Sequence, residues 1–365
     1  MNAVEAMTRD GMRALRWHGS RDLRVETVPV PELGPADALV RVNRVGLCGT
    51  DVEEYLTGPH DIPVDAPHRV SGAIAPMIPG HELVGTVERC DSRPELVGTT
   101  VIPDVVQGCG RCWWCQRHED GLCPDLVVLG QTADGGLAEF VRCRADTLVI
   151  VPSTLSIDIA AFAEPTAVAV RAIAKAGDLR GCTVAVVGAG VVGNLIAQVA
   201  RVHGARVIAT DTASWRLDLA SDTGIPTASV ETIAQVLGEL TRGRMADVVF
   251  ECAGRDASFA LSATLARRGG AIVLVGIGNA LPTFPWREVV LREQRLIGSA
   301  AHVWDVDVAT AVELLASGQV DPAPMISRIV GLDDVAATLE GMTTSAHLAK
   351  VLVDPQRAVS ERSRP

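Results

Sequence analysis

Residues 182–211 read CTVAVVGAGVVGNLIAQVARVHGARVIATD, and this stretch decides the fold. Thr183–Val187 is apolar and rich in valine, which suits a strand covered on both faces. Gly188, Gly190 and Gly193 follow at once in the spacing G-x-G-x-x-G. The first glycine permits a tight turn, the second lets backbone approach a pyrophosphate, and the third lets helix and strand pack closely. The start of the following helix presents free N–H groups and a partial positive charge to phosphate. A second strand ends at Asp211, 18 residues beyond Gly193. An acid there accepts hydrogen bonds from a ribose 2′-hydroxyl and repels a 2′-phosphate, so the pattern predicts NAD rather than NADP. The rival reading is a tight strand–helix turn without a ligand. Arg216, just beyond, reads equally as a contact to the adenosine or as a solvated helix residue.

The alternation continues downstream. ADVVFECAG reads as a buried strand, DASFALSATLARRG as a helix and GAIVLVGIG as another strand. Apolar strands alternating with helices predict an α/β domain with a doubly wound parallel sheet. Upstream the character differs. Short runs such as DALVRVNRV and ELVGTVERC, broken by Pro and Gly, predict a β-rich region. Between them IDIAAFAEPTAVAVRAIAKAG is helix-prone, with a break expected at Pro165. After Ser299 come two helical stretches, DVATAVELLASG and LDDVAATLEGM, and a closing strand, KVLVD. The first residues, MNAVEAMTRDGMRALRW, contain no long apolar core and read as a short extension, with Met12 a possible alternative start.

Four cysteines crowd into CGRCWWCQRHEDGLC, at Cys109, Cys112, Cys115 and Cys123. Soft, negative thiolates at such spacing suit a closed tetrahedral zinc site, which is usually structural because no position is left for substrate. An iron–sulfur centre is the rival, since Pro124 follows the last cysteine, but the gap before Cys123 is too long for that pattern. Disulfides fit poorly without a secretion signal. Nine cysteines in all imply a reducing compartment, which predicts a cytoplasmic protein.

Bulk properties exclude other classes. A length of 365 residues suggests two domains, and 48% hydrophobic residues suffice for a buried core. A net charge of −11 argues against nucleic acid, and 3% aromatics argue against base-stacking platforms. Absence of a long uncharged apolar run predicts no membrane span.

Reactive chemistry then falls to Cys48 in GLCGTD, His81 and Glu82 in PGHE, and Glu164 in AFAEPTA. One thiolate, one imidazole and one carboxylate can ligate zinc and leave a position for substrate. Singly, each could equally be a core cysteine, a hydrogen-bonded histidine or a surface acid. In sequence order, GLCGTD, PGHE, the four-cysteine lobe, the EP helix and VGAGVVG resemble the zinc-dependent medium-chain dehydrogenases. The likeness runs from Met12 to Asp354 and is greatest to sorbitol and 2,3-butanediol dehydrogenases, notably over EYLTGPHDIPVDAPHRVSGAIAPMIPGHE and LIGSAAHVWDVDVATAVELLASGQVDP.

That resemblance implies a GroES-like β-rich catalytic domain at 12–160, with the zinc lobe at about 107–125. It implies a Rossmann cofactor domain at 161–300 and a segment at 301–355 that returns to the catalytic domain. It implies two zincs per chain. Cys48 and His81 would ligate the catalytic one, Glu164 or water would complete its shell, and Glu82 would ligate directly in some states. Asp51 would orient His81, Thr50 would pass the alcohol proton outward, and Tyr55 would line the substrate pocket. Glu53 stands where relatives often carry a relay histidine, and Arg171 interrupts the usual helix motif. The resemblance places Val191, Val192, Cys252, Ala253, Val275, Gly276, Ser299 and Ala300 at the cofactor. It implies NAD-dependent oxidation of a secondary alcohol, vicinal diol, polyol or cyclitol, with no nucleic-acid or membrane partner. It also implies a homodimer or homotetramer paired through Rossmann sheet edges near GAIVLVGIG. Rival readings are threonine-dehydrogenase-like amino-alcohol oxidation, a tailoring dehydrogenase with a larger substrate, and a regulator that binds NAD and zinc without turnover.

Overall fold

The computed structural model describes residues 11–278, 285–343 and 347–357. The N-terminal extension expected from sequence lies, up to residue 10, outside the described residues. The chain forms two compact units. One takes in the residues up to Glu164 together with Val303–Val312 and those from Ile326 onward; the other comprises Pro165–His302 and Glu313–Met325.

The first unit begins with the antiparallel hairpin β1 (Met12–Gly19) and β2 (Asp22–Val28). It continues through β3 (Asp37–Gly46), β4 (Glu82–Arg89), β5 (Thr100–Pro103), β6 (Val106–Gln107), β7 (Val127–Val128), β8 (Phe140–Arg144) and β9 (Leu148–Ile150). The second unit supplies β10 (Thr183–Val187), β11 (Arg206–Thr210), β12 (Ala246–Glu251), β13 (Ala266–Leu274) and β14 (Arg295–Gly298). The chain then adds β15 (Ile326–Val330) and β16 (Lys350–Val353) to the first unit. There a seven-stranded sheet runs β15-β16-β3-β4-β5-β9, with β8 paired to β3. β3 is its hub: β4 and β8 lie antiparallel to it, and β16 meets its last residues, Val45 and Gly46.

In the second unit five strands run β11-β10-β12-β13-β14, all parallel. β10 is buried along its whole length, as expected of a strand with helices on both faces. One side of the core joins Ala185, Val187, Ile208 and Ile272 to Ile233 and Leu237 of the helix Ile233–Thr241.

Four expectations need correction. Pro165 does not break the helix; it sits in the first turn of Ala163–Ala176, where N–H groups lack intrahelical partners anyway, and the interruption falls before Ala163. The residues ARR after Leu265 belong to β13 rather than to the preceding helix. β13 is hydrogen-bonded on both sides, so the free edge of the sheet beyond it is β14 and not GAIVLVGIG. The last is Glu313–Met325, which does not return with the rest of 301–355 but packs in the second unit. Gln198 ties it there, donating from Nε2 to the Asp321 carbonyl at 3.2 Å and accepting the Asp321 amide at 2.8 Å.

Candidate active site and metal centres

Cys48 follows the end of β3 and directly precedes the helix Gly49–Thr57. Glu82 opens β4, with His81 immediately before it, and Gly46 of β3 pairs with Glu82. The ladder between β3 and β4 therefore brings two distant motifs together. Cys48, His81 and Glu82 each offer one ligand atom, all within 4.8 Å of one another. Two glycines make room. A Cβ on Gly46 would stand 2.2 Å from Glu82 Oε2, and Gly80 holds φ +96°, a backbone that L side chains rarely adopt.

The surrounding polar groups fix this trio. Asp51 Oδ2 accepts the Cys48 amide at 2.8 Å, and Asp51 Oδ1 lies 3.8 Å from His81 Nδ1. Thr50 Oγ1 is 3.3 Å from His81 Nε2. Glu164, second residue of the helix Ala163–Ala176, lies outside the trio but acts on both His81 and Glu82 by charge. Burial opposes a charged His81 imidazole, yet Asp51, Cys48 and Glu164 outweigh it and hold its pKa well above the ordinary value. Burial, with Glu164 adding to it, pushes the Glu82 carboxyl up. These acidic groups create a potential that favours a cation, and sulfur, imidazole and carboxylate are a zinc donor set. The residues present fit a divalent metal.

Sequence reasoning missed Lys350. Its Nζ lies 2.5 Å from Glu82 Oε2 and donates to the Leu47 carbonyl at 3.0 Å. A lone lysine opening the apolar run KVLVD was the available signal. Tyr55 also has an unforeseen partner, donating to Glu340 Oε1 at 3.1 Å. Burial and that carboxylate raise the Tyr55 phenol. Glu53 is exposed on the same helix as Thr50.

Cys109, Cys112, Cys115 and Cys123 gather as a second group. Cys112 Sγ lies 3.5 Å from Cys115 Sγ and 3.8 Å from Cys123 Sγ. A tetrahedron with metal–sulfur bonds of about 2.3 Å has edges of about 3.8 Å, whereas a disulfide needs about 2.05 Å. Amides point at these sulfurs as they do at thiolates: those of Cys109 and Asp125 donate to Cys123 Sγ, and that of Cys115 to Cys112 Sγ. The Arg111 amide leads in drawing the Cys109 thiol down to about 7, while burial and Asp120 push Cys115 up. The cluster fits one zinc.

In the second unit Gly188 holds φ +99°. A Cβ on Gly193 would lie 1.8 Å from the Gly188 carbonyl oxygen, whereas one on Gly190 would meet nothing within 4 Å. Gly193 is thus required by the protein itself, whereas Gly190 faces open space. Asp211 Oδ2 accepts the Ala189 amide at 2.8 Å, and Oδ1 accepts that of Ala213 at 2.9 Å. Arg216 Nη1 stands 3.6 Å from Asp211 Oδ2, and its guanidinium lies over Trp215 at 5.2 Å. Val191 and Val192 open the helix after the glycine turn. Cys252 donates its amide to the Val187 carbonyl, and Ala253 donates to Glu251 Oε1. The Val275 and Gly276 amides both reach the Glu251 carbonyl, and that of Ser299 reaches Leu274. These contacts gather Cys252, Ala253, Val275, Gly276 and Ser299 at the carboxyl ends of β10, β12, β13 and β14, with Ala300 following. The Ser299 hydroxyl is buried without a hydrogen-bond partner among the described residues.

Residues 34–153 match the model of the alcohol dehydrogenase GroES-like domain, and residues 191–317 that of the zinc-binding dehydrogenases. The chain is 31% identical to human sorbitol dehydrogenase, over 88% of this chain and 90% of that enzyme. The chain belongs to the zinc-dependent medium-chain dehydrogenase/reductase family. It is 32% identical to the L-threonine 3-dehydrogenase of Rhizobium johnstonii, over 91% of this chain and 95% of the other. Its fold matches the crystal structure of 2R,3R-butanediol dehydrogenase from Bacillus subtilis with a TM-score of 0.87 and 26% identity, covering 94% and 100% of the two chains. This member of the family is therefore an oxidoreductase that acts on small alcohols with zinc and a nicotinamide cofactor, built from a GroES-like and a Rossmann-like domain. Among the described residues, no helix is long and apolar enough to cross a membrane.

Proposed function

We propose that this dehydrogenase oxidises a secondary hydroxyl of a neutral diol, polyol or cyclitol, reversibly, with NAD. The convergence of Cys48, His81 and Glu82 beside Thr50 carries the reading. In it, those three residues and Glu164 serve the catalytic zinc, and the four clustered cysteines hold the structural one. When bound, zinc supplies Lewis acidity and the nicotinamide a two-electron acceptor.

The chain's own residues do the rest. Asp51 fixes the Cys48 backbone and faces His81, so both donors are held before a metal arrives. Thr50 Oγ1 takes the substrate proton and hands it outward. Glu53, three residues along the same helix face, is the exposed carboxylate on that path. Next to Thr50 a cavity of about 20 Å³, room for about one water, is lined by Asp51, Glu54, Tyr55 and Asp61 together with Trp17 and Ile62. The likeness to sorbitol and butanediol dehydrogenases supports a polyol, and that to L-threonine 3-dehydrogenase supports the amino-alcohol rival.

Asp211 supports NAD over NADP, with Val191, Val192, Cys252, Ala253, Val275, Gly276, Ser299 and Ala300 around the cofactor. Arg216, drawn towards Asp211, reduces that preference without reversing it. In this reading 12–160 is the catalytic domain, 161–300 the cofactor domain, and 301–355 rejoins the former except for Glu313–Met325. Nine unpaired cysteines support a cytoplasmic location, and the free edge at β14 supports a homodimer or homotetramer.

A panel of diols, polyols, cyclitols and amino alcohols, followed by NADH absorbance, tests the reading. Turnover with neutral polyols, lost in Cys48→Ala while NAD binding persists, is expected. Turnover confined to amino acids carrying a hydroxyl would overturn the substrate class. Failure to turn over any alcohol despite bound zinc and NAD would favour the regulator.

A further inference from the structure

The end of the parallel sheet opposite the glycine turn carries a feature that alcohol oxidation does not use. At the starts of β12 and β13 lies a cavity of about 580 Å³, lined by Arg244, Arg267, Arg268 and Arg292, one acid, Asp247, and otherwise Gly243, Met245 and Ala266. In a chain of net charge −11, four arginines against one aspartate give this lining three net positive charges. Guanidinium remains protonated throughout the working pH range.

These arginines are held in place. Arg267 Nε donates to Asp247 Oδ1 at 2.7 Å, and its Nη1 to the Arg268 carbonyl at 2.8 Å. Arg268 Nη1 reaches the Leu291 carbonyl at 3.2 Å, Arg244 Nε that of Thr241 at 3.4 Å, and Arg292 Nη1 that of Ala263 at 3.3 Å. Arg292 Nη2 also lies 3.6 Å from Glu288 Oε2. Arg244 and Arg268 thus each spend one donor on a neutral carbonyl. Each guanidinium has five N–H donors, so their remaining forks are available to an anion, and a fork of this kind matches phosphate oxygens two at a time. Among the described residues no aromatic ring lines the cavity, and none of them would stack on a nucleobase.

We propose that this cavity binds a compact polyanion carrying two phosphates, at a site separate from the dinucleotide turn. The size suits a small ligand, and the charge of the lining suits two phosphate groups. β10 connects the two ends of the sheet: Asp247 accepts the Thr183 amide at its start, and Gly188 follows its last residue.

Isothermal titration of the zinc- and NADH-loaded enzyme with fructose 1,6-bisphosphate, a weak zinc chelator, tests this. One equivalent is expected to bind, weakening as ionic strength rises. Arg244→Ala/Arg268→Ala is expected to weaken binding about tenfold or more, with kcat and the ligand-free thermal midpoint unchanged. Should the alanine variant fold poorly, Arg244→Lys/Arg268→Lys keeps the charge but loses the fork, and an intermediate affinity is expected. No binding by the wild type, or equal affinity in wild type and variants, overturns the proposal, the latter by placing the ligand elsewhere. A change of oligomeric state in the variants, with no bisphosphate bound by the wild type, would overturn it in favour of a contact between copies of the chain.

Discussion

Lys350 Nζ and Glu82 Oε2 meet at 2.5 Å inside the first unit, with side chains only 4% and 1% exposed. Burial opposes the Lys350 charge, but Glu82, with Cys48 and Glu164 adding to it, outweighs burial and raises the ammonium pKa. The pair joins the start of β16 to the start of β4 across 268 residues of sequence, at the carboxylate beside His81 and Cys48. Removing one partner of a buried pair leaves an uncompensated charge. Lys350→Met is therefore expected to lower the unfolding free energy of the metal-free protein by about 3–5 kcal/mol. Adding Glu82→Gln should restore part of that loss. Urea unfolding of the single and double variants measures both, and equal stability of Lys350→Met and wild type would contradict the pair's role.

The two metal groups are expected to fail independently. Cys112→Ser should lower the zinc content from two per chain to one and depress the thermal midpoint by several degrees, because a structural zinc contributes directly to folding. Cys48→Ala should also lose one zinc, but with activity abolished and the midpoint little changed. Elemental analysis alongside thermal unfolding separates the two, and a Cys112→Ser protein retaining two zincs would remove the structural assignment.

Gly190→Ala and Gly193→Ala each add one methyl group, three residues apart, and should behave oppositely. The Cβ at 193 collides with the Gly188 carbonyl, so this variant should lose several kcal/mol of stability. The Cβ at 190 meets nothing within 4 Å, so folding should be kept while NAD affinity falls by about tenfold. Thermal midpoints and NADH fluorescence titrations would show the contrast; undiminished NAD binding by Gly190→Ala would count against the pyrophosphate position.

Acid should weaken the second unit through Asp247. Burial alone would raise its carboxyl, but the Thr183 amide and the Arg267 guanidinium outweigh that and hold it below the ordinary value. A lowered folded-state pKa means that the fold prefers the carboxylate. The contribution is therefore complete above the unfolded value, near 3.9, and is lost as pH falls below it. Asp247→Asn is expected to be less stable than wild type at pH 6, with the gap narrowing towards pH 3. Urea midpoints across that range provide the check, and a gap that widens on acidification would reverse the sign.

Much of the candidate site was legible because its geometry is local. The four cysteines fall within fifteen residues, so one loop can turn their sulfurs inward. Thr183 to Asp211 is a single strand–helix–strand unit, whose backbone demands are written in its glycines. Cys48 and His81 were found by likeness of motif order, since residue types alone left each with an ordinary explanation. Pro165 misled because proline breaks a helix interior but suits a first turn, and only the position of the helix start tells these apart.

By itself the sequence determined the parallel cofactor sheet, the thiolate cluster and the donor types of the reactive trio. These depend on period, spacing and side-chain chemistry within short spans. Tertiary structure alone decided that Lys350 neutralises Glu82, that Glu340 receives the Tyr55 hydroxyl, that β14 rather than β13 is an edge strand, and that four arginines share one cavity. Partners in these cases are chosen by strand order and chain crossover, and desolvation, which makes a buried charge need its counter-ion, arises only when distant segments exclude water together.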